Sequence, residues 1–237
     1  LYDNPSIIDN LIESNKNNFT EILLSGNGTP AVGPFPSNLS FGDNEVHAEN
    51  FDLDGAKNIL TQAGWSDSDN DGYIDKDGKN LELKYLTYTS RQELPILAEY
   101  MQDSLKKIGI KLNVNATDNY KSFLKAGDYD IFSKAIVTAP TGDAEYYFTS
   151  HILPGAVDNA GHYDSAEIAR LEDELHNTFG AENRSALAVQ MSQRVLDDFA
   201  LVYAAHLKMS LVMKPNVEGF TAHPSDYYEI TPELVKK

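Results

Sequence analysis

Residues 138–163, TAPTGDAEYYFTSHILPGAVDNAGHY, gather side chains that can bind a small polar ligand: Thr141, Asp143, Glu145, Tyr146, Tyr147, His151, His162 and Tyr163. Aromatic faces supply contact area, and a few polar groups fix orientation, which is the composition of a small-molecule site. The competing reading is a surface loop whose aromatic rings pack inward. A second chemical stretch is DSDNDGYIDKDG, residues 67–78, in which Asp67, Asp69 and Asp71 alternate before Gly72. An EF-hand calcium loop begins this way. It also needs a bidentate Glu at its twelfth position, and here that position is Gly78. Glu82 comes four places late, and a strand pattern follows where a helix is required. The Asp-Gly pairs at 71–72 and 77–78 supply turn chemistry, so the stretch reads as an exposed acidic hairpin, with an incomplete calcium site as the alternative.

Other chemistries find little support. No G-x-S-x-G nucleophile turn and no phosphate-cradling G-x-x-x-x-G-K-[ST] occurs. His47, His151, His162, His176, His206 and His223 show no zinc spacing. Cysteine is absent, which removes disulfides, thiol nucleophiles and thiolate metal sites. A net charge of −17 opposes binding to nucleic acid or to an anionic membrane surface. At 237 residues with 41% hydrophobic content, the chain can bury a core, and no apolar run is long enough to cross a bilayer.

The elements that must position these residues follow from periodicity. Residues 6–24 have helical spacing with an Asn-rich break, and 26–38 form a Gly- and Pro-rich linker. Residues 54–65 read as a short helix capped by Asp54 and ended by Gly64. LELKYLTY (81–88) alternates as a strand, 94–108 form an amphipathic helix stopped by Gly109, and IKLNVNAT is a second strand. This β–α–β unit predicts a parallel, right-handed crossover. A helix over 120–126 and a strand over 128–137 follow. The loop 138–163 then leaves the carboxyl end of a strand, where open α/β sheets bind ligands. Two further helices present Ile168, Leu171, Leu175 and Phe179, then Leu187, Met191, Val195 and Phe199. Residues 201–213 are β-prone, and the tail to Lys237 is polar and loop-like. The organisation expected is amino-terminal helices and a linker (1–38), an α/β ligand-binding lobe (39–213) and a tail (214–237).

Several motifs in fixed order carry a family resemblance: DLDGAKNILTQAGW, then DSDNDGYIDKDGKNLELKYLTY, LAEYMQDSLKKIGIKLNV and YKSFLKAGDYDIF. Over roughly residues 17–220 the chain resembles the extracytoplasmic solute-binding proteins of ABC transporters, in the branch with oligopeptide-, dipeptide- and nickel-binding members. The resemblance implies an α/β, type II periplasmic-binding-protein-like lobe of family 5, with an open mixed sheet flanked by helices. Members are about twice this length and trap ligand between two lobes, so the chain is expected to supply most of one lobe. It begins at Leu1, not Met, and is expected to be a processed chain or a piece of a longer one. The implied setting is the periplasm or the outer face of the membrane, as a lipoprotein. The implied partners are an ABC permease and a small-molecule, metal-chelate or peptide ligand, and the chain is expected to be monomeric.

The resemblance also bears on ligand choice. Peptide-binding members carry a segment like A-D-Y-P-D-P, whose first Asp pairs with the peptide's amino group. Here Pro140 stands in that place, within Ala139-Pro140-Thr141-Gly142-Asp143. The A-P-T-G-D form looks like the nickel or metal-chelate branch. That branch implies Thr141, Asp143, Tyr146, Tyr147, His151, His162 and Tyr163 as ligand-binding residues. His151 and His162 would ligate the metal, and nickel chelate would be cargo rather than a prosthetic group. Peptide binding is the alternative within the family. An enzyme using the acidic loop and a calcium-dependent structural module are the alternatives outside it. A receptor of this kind is not expected to catalyse a reaction.

Overall fold

The computed structural model describes residues 16–48, 52–210, 212–220 and 230–237. The expected helical spacing over 6–15 and His223 lie outside the described residues. The chain enters through a helical turn, Lys16–Asn18, continued by a π turn, Phe19–Leu23, and then strand β1, Gly28–Pro30. Helix α1 spans Leu53–Gln62. Its cap is Asp52, not Asp54: Asp52 Oδ1 accepts the Gly55 N–H at 2.8 Å, and Asp54 lies in the first turn. Gly64 takes a φ of +87°, the left-handed conformation expected after the helix.

Strands β2 (Asp75–Lys76) and β3 (Lys79–Asn80) pair antiparallel. Asp77 and Gly78 both have positive φ, 54° and 69°, as a two-residue hairpin turn requires. The acidic stretch is therefore a hairpin approached by a loop. Then come β4 (Glu82–Thr87), α2 (Glu93–Lys106), β5 (Lys111–Ala116), α3 (Tyr120–Ala126) and β6 (Ile131–Phe132). The sheet order is β5-β4-β6, and both pairings are parallel. Among the described residues, antiparallel pairing lies outside this sheet, in separate two-stranded ribbons and in an isolated bridge between Ser66 and Asp75. Strand β6 is far shorter than the expected 128–137. Ser133 N–H still reaches Leu86 O at 3.1 Å, but beyond it no ladder bond holds the chain to the sheet.

The sheet packs Leu83, Tyr85 and Leu112 against Ala98, Met101 and Leu105 of α2 and Ala56 and Leu60 of α1. A second cluster surrounds a short helix, α4 (Glu145–Tyr147), continued by a π turn, Phe148–Ile152. It joins Tyr147, Phe148 and Ile152 to Ile168, Leu171 and Leu175 of α5 (Ala166–His176), to Leu187, Met191 and Val195 of α6 (Ala181–Asp197), and to Phe35 and Phe41. Phe179 does not line this face. Helix α5 has ended at His176, and Phe179 is 88% exposed. Phe199 likewise falls beyond α6, half-buried at a φ of +50°. Among the described residues of the β-prone 201–213, only β7, Ala205–Leu207, is a strand, antiparallel to β1. Asp43 ties this ribbon down by accepting N–H groups of Val32 and Gly33 and meeting His206 Nε2 at 2.8 Å. The tail contributes a small ribbon, β8 (Val217–Glu218) with β9 (Val235–Lys236). Among the described residues no helix is long and apolar enough to cross a membrane.

Candidate functional site at the carboxyl edge of the sheet

Because β4, β5 and β6 are parallel, their carboxyl ends share one edge. Aromatic rings that the sequence reading did not single out collect there. Tyr88 lies 4.7 Å from Tyr120 between centroids, and Tyr120 stacks on Phe132 at 5.8 Å. Tyr88 Oη accepts the Ala135 N–H at 3.1 Å, and Asp118 Oδ1 accepts both the N–H and the hydroxyl of Thr89. The chain crosses this edge as residues 133–137 and enters the loop 138–163.

That loop is built by a few saturated polar groups. Gly142, at φ +77°, closes a turn by donating to Ala139 O at 3.0 Å, which leaves Thr141 exposed. Asp143 caps the next segment by accepting the Glu145 N–H at 2.9 Å. Arg184 of α6 then uses its full set of N–H donors. Nε and one terminal nitrogen grip Asp143 at 2.7 Å each, and that nitrogen also reaches Glu145 Oε2 at 2.7 Å. The other terminal nitrogen donates to the carbonyls of Leu175 and Thr178. Arg184 holds the Asp143 carboxyl below the usual carboxylate range. On Glu145, His176 acts first and Arg184 second to the same effect.

Farther on, Asn159 clamps the loop to itself. Its amide donates to the carbonyls of Ile152, Leu153 and Tyr163, and its oxygen accepts the Tyr163 N–H. Tyr163 in turn donates its hydroxyl to Asp198 Oδ2 at 2.6 Å, and burial with the Asp198 carboxylate pushes that phenol up to about 12. Tyr129 donates its hydroxyl to Ala160 O at 2.7 Å, tying the loop to the start of β6.

The expected ligand-binding residues thus have different placements. Thr141, Tyr146 and His162 are exposed, with Tyr146 at 42%. Tyr147 is a core ring, 1% exposed, whose hydroxyl pairs with that of Tyr203 at 2.7 Å, and burial raises its phenol strongly. Asp143 and Tyr163 anchor the loop. His151 is buried, with Nδ1 2.9 Å from Lys134 Nζ, and its ring sits beside those of Tyr146 and Tyr147 at 6.0 and 5.7 Å. Burial, then the Lys134 ammonium, lowers its pKa to about 4. No described hydrogen bond or ring contact joins His151 to His162.

Two groups of described residues bring three metal-ligating atoms within 4.8 Å of one another: Glu145, Glu172 and His176, and Asp67, Asp69 and Asp71. Neither includes His151 or His162. Arg184, Lys134 and Asn159 were not singled out in the sequence because their partners lie far along the chain or in irregular backbone. The acidic pair at 143 and 145 was the one available hint that a cation must lie opposite.

Residues 14–157 match the sequence profile of the bacterial extracellular solute-binding proteins, family 5 middle region, and the chain belongs to that family. Its α/β fold is that of the family's solved members. The nickel-binding protein NikA of Staphylococcus aureus is 22% identical over 224 residues, covering 94% of this chain and 43% of NikA. The oligopeptide-binding protein AppA of Bacillus subtilis is 26% identical over 219 residues, covering 88% of this chain and 39% of AppA. The chain therefore spans less than half the length of these curated relatives. The crystal structure of S. aureus NikA in complex with Ni(L-His)2 superposes with a TM-score of 0.79 at 19% identity, over 98% of this chain and 48% of NikA. AppA from B. subtilis with a nonapeptide gives 0.77 at 20% identity, over 96% and 46%.

Proposed function

We propose that this chain supplies part of the solute receptor of an ABC importer, working outside the membrane and carried there as a lipoprotein. In this reading it captures a nickel chelate or similar metallophore complex and catalyses no reaction. The observation that carries the reading is the path of residues 138–163. They leave the carboxyl edge of a parallel sheet, the edge at which open α/β sheets receive ligands, and hold Thr141, Tyr146 and His162 exposed. The exposed Thr141 hydroxyl suits a chelator's carboxylate, Tyr146 offers a stacking face, and the exposed imidazole of His162 suits a borderline metal. Pro140 stands where peptide-binding members carry the amine-pairing Asp, and it offers no carboxylate.

The second reading is an oligopeptide or dipeptide receptor, and the likeness to AppA favours it. Calorimetry on the full chain separates the two. Nickel with free histidine, and separately short peptides, are titrated into the wild type, His162→Ala and Tyr146→Ala. The chelate reading expects nickel–histidine binding that weakens roughly tenfold or more in His162→Ala, the loss of one good contact. Micromolar peptide binding untouched by these substitutions, with no chelate binding, would move the chain to the peptide class.

A further inference from the structure

We propose that Lys134 and His151 form a receptor site for a carboxylate of the captured solute, with His151 as the contacting donor and Lys134 as the residue that positions it. The proposal rests on the reading of the chain as a solute receptor and adds a chemical group to it. Lys134 lies two residues beyond β6, on the carboxyl edge of the sheet. Its Nζ sits 2.9 Å from His151 Nδ1 and donates to Asp158 O at 2.9 Å, with Asp158 Oδ1 at 3.8 Å to balance its charge. An ammonium has only donors. The ring nitrogen that meets it must be the acceptor, so Nδ1 carries no proton. A neutral imidazole has one N–H, and here it falls on Nε2.

That tautomer decides what His151 can do. The lone pair that would hold a metal is on Nδ1 and is already taken by Lys134. The opposite edge presents an N–H, which can meet only an acceptor. The His151 side chain is 5% exposed, and Nε2 has no hydrogen-bond partner among the described residues. It is not among the unsatisfied side-chain atoms fully sealed off from solvent, so this donor is not completely enclosed by protein. The partly exposed Tyr146 ring lies 6.0 Å from the imidazole and nearly perpendicular to it. A donor polarised by an adjacent ammonium, in a mostly dry setting, suits a carboxylate oxygen. A chelator's carboxylate and a peptide's carboxyl terminus offer the same group.

The test has two readouts on the full chain. Long-range proton–nitrogen NMR of the labelled protein, with His151 assigned through His151→Gln, reports which ring nitrogen is protonated. The wild type should show Nε2–H alone, and Lys134→Met should show a mixture. Calorimetry then compares nickel–histidine with nickel–histidinamide, and trialanine with its carboxyl-terminal amide. For the source that binds, the acid should bind roughly tenfold to a hundredfold tighter than the amide, the size of one hydrogen bond to a charged group. That preference should shrink to about twofold or less in Lys134→Met and in His151→Gln. A proton on Nδ1 in the wild type, or equal binding of acid and amide, overturns the carboxylate site and leaves the receptor reading standing. No binding of any of the four probes overturns both.

Discussion

Arg184 holds Asp143 through two parallel hydrogen bonds of 2.7 Å, across 41 positions of sequence. The pair joins helix α6 to the start of the loop that carries the candidate ligand contacts. Arg184 is 20% exposed, whereas Asp143 is 39% exposed and partly screened by water. Arg184→Met should therefore cost about 1–3 kcal/mol, the range for hydrogen bonds to a charged group after discounting for solvent. Asp143 and Glu145 would then face each other with no guanidinium between them. Urea denaturation measures the loss, and hydrogen exchange should show faster amide exchange around residues 141–147. An unchanged midpoint would mean that the loop is held by its apolar contacts alone.

His151 makes stability depend on pH with a definite sign. Its folded-state pKa of about 4 lies below the ordinary value of 6.5, so between these values the unfolded chain binds more protons. The contribution of the neutral ring is complete above about pH 6.5 and is lost as the pH falls toward 4, with a full size on the order of 3 kcal/mol. Urea midpoints of the wild type and His151→Phe, measured from pH 7 to 4.5, should diverge in slope. The variant should keep only the weaker decline due to carboxylates. Parallel slopes would show that folding does not alter proton binding by the ring.

Gly109 is a glycine for two reasons that can be separated. Its φ is +77°, and a Cβ added there would lie 2.9 Å from Ile74 Cγ2 and 3.0 Å from Ile74 N, whose N–H donates to Gly109 O at 2.8 Å. Gly127 has a similar φ of +65° with nothing within 4 Å of an added Cβ. Gly127→Ala should cost about 1 kcal/mol, from backbone conformation alone. Gly109→Ala should cost more, about 2–4 kcal/mol, because Ile74 must also move. Thermal melts side by side decide it: equal losses would mean that the Ile74 side shifts freely.

What the sequence disclosed was local. Helix α3 has the expected bounds, and β4, β5 and α2 differ from expectation by one or two residues, because alternation and helical spacing are written in neighbouring residues. Strand β6 was overestimated because β-prone residues need a partner as well as a propensity, and after Ser133 the chain leaves β4. The loop 138–163 was legible as a place but not as an arrangement. Its aromatic and polar residues are visible in order, yet nothing in that order says that Tyr147 turns into the core while Tyr146 stays out. Lys134 was invisible because its partner His151 lies 17 positions away, beyond an irregular loop.

The acidic stretch at 67–78 is expected to hold no calcium tightly. The carboxylates of Asp67, Asp69 and Asp71 do converge, and all three are exposed. Each, however, already accepts backbone N–H groups of its own turn. Asp67 takes those of Asp71 and Gly72, Asp69 shares that of Asp71, and Asp71 takes that of Tyr73 and the Asn80 side chain. Gly78, where a bidentate Glu would be needed, sits in the hairpin turn. The nearest following Glu, Glu82, is engaged with Lys111 at 2.7 Å and Asn113 at 3.2 Å on the neighbouring strand. The aspartates therefore build the turn, and Asp67→Ala should destabilise the chain by about 1 kcal/mol in the absence of any metal. Calcium calorimetry should show no micromolar site. A micromolar site that vanished in Asp69→Ala with Asp71→Ala, together with an Asp67→Ala variant as stable as the wild type in chelator, would reverse the assignment from turn to metal loop.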